Sequence, residues 1–362
     1  MILFRYVSRE ILATFFAVAS VLLLIVVSNS LAHYLSRAAA GSLDPSVLFW
    51  ILLYRIPASL EIIFPLSLFL AVLLGVGRMY MDSEVAVLFA TGTSLKRLSR
   101  WILTPALVIA AAVGCITFYV GPAGLQAANT VFDEQRSRSE VDRLIPGRFM
   151  NIGGGSGVVY TESVGEGRLG RVFVASAEKD EQAFVILAPS AHEEQLAENR
   201  YIVLNDGVRF DVTPGELGGR ELRFDAHGIL IPQADIEEKE SKLKIWSTME
   251  LWDAGEREHM AVLHYRLSLT IMVPIITLLA IGFGRSNPRS GRFAKVIPGI
   301  LIFLLYFSLI TAAQSAIEDG QIPTWLGMWW IHISFATLAW WLLTSDEREM
   351  KKSGGGVEHA PD

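Results

Sequence analysis

Two ionisable side chains, Arg55 and Glu61, lie inside the long apolar stretch 47–77. A charge at membrane depth is costly and usually faces a protein interior or a wet cavity, so each is a candidate for function. Arg55 lies near one end of the stretch, where its long side chain can reach the membrane surface and meet an anionic lipid headgroup. The alternative is a structural role, in which Arg55 anchors the helix or pairs with Glu61.

An acidic loop follows this stretch and is the second candidate site. Asp82 or Ser83 can cap a short helix that stops at Gly92. Its apolar side chains are Val85, Val87, Leu88 and Phe89. A helix that rests on lipid usually has a Lys-rich polar face, whereas this one begins with acids. We therefore favour a protein partner over lipid as the ligand of this segment, with Glu84 in its first turn.

Catalytic and nucleotide-binding motifs are absent from the sequence. There is no G-x-x-x-x-G-K-[ST] phosphate loop, and the glycine run 153–157 lacks the required lysine. His192 does not begin an H-E-x-x-H zinc motif, and no serine lies in G-x-S-x-G. The single cysteine, Cys115, cannot form an internal disulfide. The residues therefore favour neither an enzyme nor a metal or cofactor site.

The elements that must position these residues are membrane spans. Of the 362 residues, 52% are hydrophobic and only 19% are charged, which is unusual for a soluble protein. A helix needs about 20 mainly apolar residues to cross the hydrocarbon. Six stretches meet that need: 11–32, 47–77, 101–120, 267–284, 296–317 and 325–344. The first is too long for a cleaved signal core and lacks a small-residue cleavage site, so we interpret it as a retained helix.

The distribution of Lys and Arg predicts the orientation. With the N-terminus inside, the inside segments contain thirteen Lys and Arg, whereas the two short outside loops contain only Arg37. Positively charged loops stay in the cytoplasm. We therefore expect both termini to be cytoplasmic and the long segment 121–265 to be outside.

The segment 121–265 has the composition of a soluble domain, with 25 Asp and Glu against 15 Lys and Arg. Short β-rich runs recur at 157–164, 171–175, 183–188, 201–204, 208–212 and 221–224. Intervening turn residues such as Asn205-Asp206-Gly207 suggest an antiparallel sandwich or an open roll. Ser247 and Glu250 have the spacing of a capping box that would start a helix leading into the fourth span.

Five stretches resemble the lipopolysaccharide export permeases of the LptF/LptG family. They are Arg5-Tyr6 with Arg9-Glu10, the run Phe64-Pro65-Leu66-Ser67-Leu68-Phe69-Leu70, the loop from Asp82-Ser83-Glu84 to Ala90-Thr91-Gly92, Thr161-Glu162-Ser163-Val164, and Asn287-Pro288-Arg289-Ser290-Gly291-Arg292. They occur in order along the whole chain. The first and last of them favour the LptF branch over the LptG branch.

The resemblance implies an α+β membrane protein with six transmembrane helices (3+3) and an inserted periplasmic β-jellyroll. The expected domains are 1–120, with a coupling helix at about 82–92; a β-jellyroll domain with helical linkers at 121–265; 266–345; and a cytoplasmic tail at 346–362. In this family, the first and fifth spans form lateral gates for lipid. The family implies an inner-membrane transport subunit without a cofactor of its own, which extracts lipopolysaccharide and passes it to a periplasmic bridge.

The resemblance also implies partners and site residues. The expected partners are a sister permease like LptG, an ATPase dimer like LptB that uses ATP and Mg, and jellyroll proteins like LptC and LptA, with no nucleic acid. Glu84 matches the family's acidic contact to the ATPase, in a coupling segment that contains Asp82, Val85, Leu88 and Phe89. Depth and charge alone suggest Arg37, Arg55 and Glu61 as lipid-binding residues.

The sequence leaves three other interpretations of the function open. The chain could be the LptG-type sister permease. It could be a membrane-embedded enzyme of envelope synthesis or assembly, although Arg55 and Glu61 alone do not supply catalytic groups. It could also be a sensor or assembly protein with a ligand-binding β domain, which would tolerate loss of Glu84, whereas a transporter would not.

Overall fold

The helices account for most of the chain. The computed structural model describes residues 2–39, 43–137, 146–152, 157–165, 168–176, 183–196, 199–212, 219–230, 242–284 and 296–354. Its α-helices are α1 Ile2–Ala39, α2 Leu48–Met81, α3 Glu84–Ala90, α4 Leu95–Cys115, α5 Gly121–Ser137, α6 Lys242–Ile245, α7 Thr248–Ala254, α8 Arg257–Gly284, α9 Val296–Glu318 and α10 Trp329–Gly354. A 3-10 turn, Pro45–Val47, precedes α2, and a π-helical segment, Ile116–Val120, joins α4 to α5.

Five helical stretches among the described residues are long and apolar enough to cross a membrane. They are Ile2–Ala39, Pro45–Met81, Leu95–Glu134, Arg257–Gly284 and Val296–Glu318, and they contain the first five predicted spans. The sixth predicted span, 325–344, falls largely in α10, which is not among them. Tryptophans at both ends of this segment lower its hydropathy, since their indole groups prefer the membrane interface. The count of six spans therefore stays a prediction.

Helix α8 lies at the centre of the helical unit and packs against α4, α9 and α10. Close approach of helices is helped by small residues, as is usual in membranes. A Cβ atom added to Gly299 on α9 would come within 2.9 Å of the Leu73 side chain, and one added to Gly284 would come within 3.0 Å of Val76. Glycine at these two positions lets α9 and α8 pack directly on α2.

The capping box predicted at Ser247 is present. The Ser247 hydroxyl accepts from the Glu250 amide at 3.2 Å, and the Glu250 carboxylate accepts from the Ser247 amide at 2.7 Å. The backbone hydrogen bond from Ser247 lowers the pKa of Glu250. This helix, α7, ends at Gly255 in the left-handed region with φ 62°. A separate helix, α8, then begins at Arg257 and continues through the fourth predicted span.

Among the described residues, six strands form one antiparallel sheet in chain order. They are β1 Phe149–Ile152, β2 Gly157–Gly165, β3 Arg168–Ser176, β4 Ala183–Leu196, β5 Asn199–Val212 and β6 Gly219–Leu230. Nine side chains from β2 to β5 bury one another in a single core. A single sheet that buries its own face fits the open roll better than the sandwich. The protein is thus of the α+β class that the sequence predicts.

A crease runs from β2 to β6 and explains how one sheet builds a core. The ladder is interrupted in each pair from β2 to β6 along one row: Glu162, Arg171, Pro189, Asp206 and Asp225. Side chains on one face of a flat strand are separated by even numbers of residues. Yet Leu169 and Val172 are both buried, as are Ala188 and Ala191. Each strand therefore changes its inward face at the crease, which turns the two halves of the sheet toward a common interior.

Two residues at the crease adopt the left-handed backbone conformation, Arg171 with φ 43° and Asp206 with φ 51°. The buried Thr161 hydroxyl contacts the carbonyl oxygens of Ser163 at 3.0 Å and Gly170 at 2.9 Å. These contacts hold β2 and β3 together where their ladder is interrupted.

The turn predicted at Asn205-Asp206-Gly207 is wrong. The runs 201–204 and 208–212 belong to one long strand, β5, and the turn-forming residues supply its bend at the crease instead of reversing the chain. Strand β1 has no counterpart among the predicted runs. The glycine run at 153–156, the loop 287–292 and the end of the tail from residue 355 lie outside the described residues.

The chain divides into two compact units. The first comprises 1–28, 54–127 and 242–362, and its core joins the N-terminal half of α1 to α2, α3, α4, α8, α9 and α10. The second comprises 29–53 and 128–241. It contains the sheet core and a smaller cluster of Tyr34, Leu43, Leu48, Ile51 and Phe132.

Candidate functional site

Helix α3 carries the acidic residue that the sequence singles out. Val85 and Leu88 are buried in the core of the helical unit, with Phe89 packed beside them. They therefore hold α3 on the bundle and leave other groups, including Val87 at 62% exposure, for a partner. Ser83 occupies the N-cap position with φ 58°, and its side chain makes no capping bond, so the predicted capping role of Ser83 is wrong. Gly92 has φ 81° and follows the end of the helix, as predicted.

Glu84 contacts the start of α1. The Tyr6 hydroxyl lies 3.2 Å from both carboxylate oxygens of Glu84 and donates its proton to that carboxylate. Arg78, in the last turn of α2, donates from Nη2 to the Tyr6 oxygen at 3.4 Å. The three side chains form a relay that runs from a cation through a hydroxyl to an anion.

Arg78 extends this relay to two further acids. Its Nη1 lies 3.0 Å from the Glu10 carboxylate, and its Nε lies 4.0 Å from Asp82. We call Tyr6, Glu10, Arg78, Asp82 and Glu84 the N-terminal cluster. Its side chains are partly exposed, so each pair contributes about 1 kcal/mol or less to stability. The main effect of the cluster is to connect three elements: α1, the end of α2 and the start of α3.

A second cluster surrounds Arg266, which is 4% exposed. Its guanidinium donates to the Thr248 hydroxyl at 2.9 Å, to the Trp246 carbonyl at 2.8 Å and to the Lys244 carbonyl at 3.1 Å. Arg266 and Lys244 are also the cations whose charges act on Glu61. One cation on α8 and one on α6 therefore act on Glu61 through their charges.

The remaining predicted lipid-binding residues lie in different units. Arg37, at the end of α1, is partly buried, with its guanidinium carbon 5.6 Å from the centroid of the Phe132 ring, both in the second unit. This geometry is that of a cation–π contact within the second unit. Arg55 is exposed on α2 in the first unit.

The face of the sheet that carries Ile186 has a polar element beside its apolar core. Arg209 pairs with Ile186 across β4 and β5, and its Nε lies 2.6 Å from Asp211. The guanidinium carbon lies 4.4 Å from the centroid of the Phe184 ring. Burial lowers the pKa of His227, and the charge of Arg209 acts in the same direction. The sheet interior is therefore amphipathic, with aliphatic walls and one ion pair.

Metal ligands do not converge in the part of the chain that the structure describes, since no three His, Cys, Asp or Glu side chains come together. A buried polar triad links three helices instead. His332 Nδ1 lies 2.8 Å from the Tyr306 hydroxyl, and its Nε2 lies 3.0 Å from the Ser268 hydroxyl. Each of these groups is buried and hydrogen-bonded, which is the arrangement of a structural network.

A family model of the lipopolysaccharide export system permease LptF/LptG matches residues 5–345. The chain belongs to this family. With five helices of membrane-spanning length in the part of the chain that the structure describes, it is a multi-pass inner-membrane protein. Two stretches that carry the family resemblance, Arg5–Glu10 and Asp82–Gly92, meet in the N-terminal cluster.

Curated relatives agree with this assignment. The lipopolysaccharide export system permease protein LptF of Escherichia coli K12 is 28% identical over 342 residues, which are 94% of this chain and 93% of the relative. The LptF protein of Shigella flexneri matches with the same identity and coverage. The LptF rather than LptG branch stays a prediction.

Sequence reasoning missed Arg266 and the partners of Glu84. Arg266 lies one residue before the predicted fourth span, where a cation is usually interfacial, and only the packing of α6 and α7 reveals its burial. Tyr6 and Glu10 were noted for their family pattern, and their spacing of four residues places them on one face of a helix. That spacing predicts that Tyr6 and Glu10 share a helix face, but it does not predict which element this face packs against.

Proposed function

We propose that this chain is a permease subunit of an ATP-binding cassette transporter that extracts lipopolysaccharide from the outer leaflet of the inner membrane. The observation that carries the proposal is the family match, which extends over both the apolar helices and the sheet. Supporting it, the chain combines helices of membrane-spanning length with a β domain that has an apolar interior.

In this proposal α3 receives the ATPase. Its apolar side chains Val85 and Leu88 fix it rigidly on the bundle, and Glu84 supplies an anionic group in its first turn. A cationic group on the ATPase would share the Glu84 carboxylate with Tyr6. Truncating one partner of a charge-assisted contact at an interface costs about 2–5 kcal/mol, so Glu84 is the residue on which docking depends. ATP and Mg are used by the partner ATPase, and this chain binds neither.

The sheet would accept lipid after extraction. Burial of each methylene contributes about 0.8 kcal/mol, so acyl chains leave the bilayer only for another apolar environment and with the help of work. The interior formed by the creased sheet supplies such an environment. We propose that the β domain is periplasmic and passes the lipid to jellyroll proteins like LptC and LptA.

The membrane part would receive lipid at its outer side. We propose that α1 and α9 form the lateral gates together with a sister permease. We also propose Arg37, Arg55 and Glu61 as lipid-binding residues. Both termini would then lie in the cytoplasm, and residues 346–362 would form a cytoplasmic tail.

Affinity purification in mild detergent tests this function. We expect the tagged chain to carry a second permease, an ATPase and lipopolysaccharide, each identified by mass spectrometry. A chain that purifies without any ATPase, under conditions that preserve its fold, would contradict the proposal.

A further inference from the structure

Helix α1 is held to the helical unit by a narrow set of contacts. It is the least buried of the five apolar stretches among the described residues. Within the first unit, Val7, Ile11 and Phe15 are the α1 side chains that enter the main core. The polar contacts of Tyr6 and Glu10 lie beside this apolar stripe, one turn apart. Few side-chain contacts therefore connect α1 to the neighbouring elements, and a movement of those elements would be transmitted to α1 through these contacts.

One of those side chains, Tyr6, leads directly to α3. Tyr6 donates to Glu84 in the first turn of α3, and Arg78 donates to the same Tyr6 oxygen. Because Arg78 also pairs with Glu10, α1 is tied at two points to the segment that precedes α3. Val85 and Leu88 couple α3 rigidly to the core, so a displacement of α3 also displaces Glu84.

We infer that Tyr6 is a positioning residue that transmits movement of α3 to α1 during transport. The inference rests on the proposed function, in which α3 receives the ATPase. The Tyr6 hydroxyl donates to the Glu84 carboxylate and so fastens α1 to the first turn of α3. Loss of the hydroxyl leaves the carboxylate available for docking and removes the fastening. Docking thus depends on the Glu84 carboxylate, whereas coupling to α1 depends on the Tyr6 hydroxyl.

The experiment compares Tyr6→Phe with Glu84→Gln in the complete transporter, reconstituted into liposomes that contain lipopolysaccharide. Docked ATPase, ATP hydrolysis and lipopolysaccharide transferred per ATP are measured. Tyr119→Phe removes a hydroxyl from a tyrosine that is 71% exposed and serves as the matched control. We expect Tyr6→Phe to keep docking and hydrolysis within about twofold of wild type, since a partly exposed hydrogen bond is weak. Transfer per ATP should fall about five- to tenfold.

The outcomes separate this inference from the proposed function. Glu84→Gln should lose docked ATPase, and retained docking would count against α3 as the docking site. If Glu84→Gln loses docking while Tyr6→Phe transfers as much lipid per ATP as wild type, the link between α3 and α1 is refuted. A Tyr6→Phe complex that fails to assemble, or that loses hydrolysis and transfer in equal proportion, would make Tyr6 structural and would refute it as well.

A spectroscopic readout tests the link without transport. A spin label at Ser20, an exposed position on α1, is introduced in a Cys115→Ala background so that the single native cysteine does not react. In the otherwise native chain, trapping the ATPase with ADP and vanadate should change the label mobility. In the Tyr6→Phe chain that change should be absent. An identical change in both chains would contradict the inference.

Discussion

The Arg266 guanidinium donates to the Thr248 hydroxyl at 2.9 Å, and that hydroxyl donates in turn to the Phe118 carbonyl at 2.7 Å. One buried cation thereby joins α8, α7 and the π-helical segment after α4. Phe118 lies where the π-helix departs from the regular α-helical hydrogen-bonding pattern. The Arg266 cluster therefore fastens the segment that follows the β domain to the membrane helices.

Replacing Arg266 with Lys should destabilise the helical unit. Lysine keeps the charge but cannot reproduce the planar fork that reaches one hydroxyl and two carbonyls. Hydrogen bonds to charged groups contribute about 1.5–3 kcal/mol each, so we expect the melting temperature in detergent to fall by about 5 °C or more. Arg257→Lys, at the exposed start of the same helix, is the control and should melt like wild type. Equal melting of Arg266→Lys and wild type would show that the fork contributes nothing.

Replacing Thr161 with Val should loosen the crease. Valine has nearly the same shape but lacks the hydroxyl that contacts the carbonyls of Ser163 and Gly170. Leaving a partly buried carbonyl without that donor costs about 1–3 kcal/mol. Hydrogen–deuterium exchange of β2 and β3 in the full chain should accelerate correspondingly. Thr161→Ser keeps the hydroxyl and should exchange nearly as slowly as wild type. Unchanged exchange in Thr161→Val would show that the Thr161 hydroxyl does not stabilise the crease.

The sequence predicted the strands better than their arrangement. The β-rich runs 157–164, 171–175 and 221–224 locate β2, β3 and β6. Residues 205–207 have the composition of a tight turn, yet in the structure they bend a strand that continues on both sides. A positive φ at Asp206 serves either a hairpin or a crease, and local composition cannot distinguish them. The decision depends on pairing with β4 and β6, which are distant in sequence.

The candidate site was partly predictable for a similar reason. Glu84 is identified by its place in a short acidic helix between apolar stretches. Its contact with Tyr6 spans 78 positions in the sequence, and its existence depends on how α1 packs against α2. Val85, Leu88 and Phe89 were assigned to the coupling segment, but their helical spacing equally suits a face buried on the bundle, which is where Val85 and Leu88 lie.

Reversing the charge of Arg55 should weaken lipopolysaccharide capture. Arg55 is exposed on α2, and Glu in its place would repel the anionic phosphates of the lipid. We expect less lipopolysaccharide to copurify with Arg55→Glu in mild detergent. Arg100→Glu reverses an exposed charge on the opposite predicted side and should retain wild-type levels. Full lipid recovery with Arg55→Glu would exclude Arg55 from the lipid site.

The proposed orientation predicts the accessibility of two engineered cysteines. Arg223→Cys on β6 replaces a side chain that is 82% exposed, and Lys96→Cys lies at the exposed start of α4. In a Cys115→Ala background, a membrane-impermeant thiol reagent added from outside the inner membrane should label position 223. Position 96 should react only after the membrane is broken. The reverse pattern would overturn the proposed topology.

ATP-dependent transfer of lipopolysaccharide is the direct test of the proposed function. Liposomes containing the complete transporter and lipopolysaccharide are supplied with a soluble jellyroll acceptor, and acceptor-bound lipopolysaccharide is measured with and without ATP. Glu258→Ala, at an exposed acid on α8, is the control for Glu84→Ala. The proposed function predicts ATP-dependent transfer by wild type and by Glu258→Ala, and loss of transfer in Glu84→Ala. Transfer that is independent of ATP, or a Glu84→Ala complex that transfers like wild type, would contradict it.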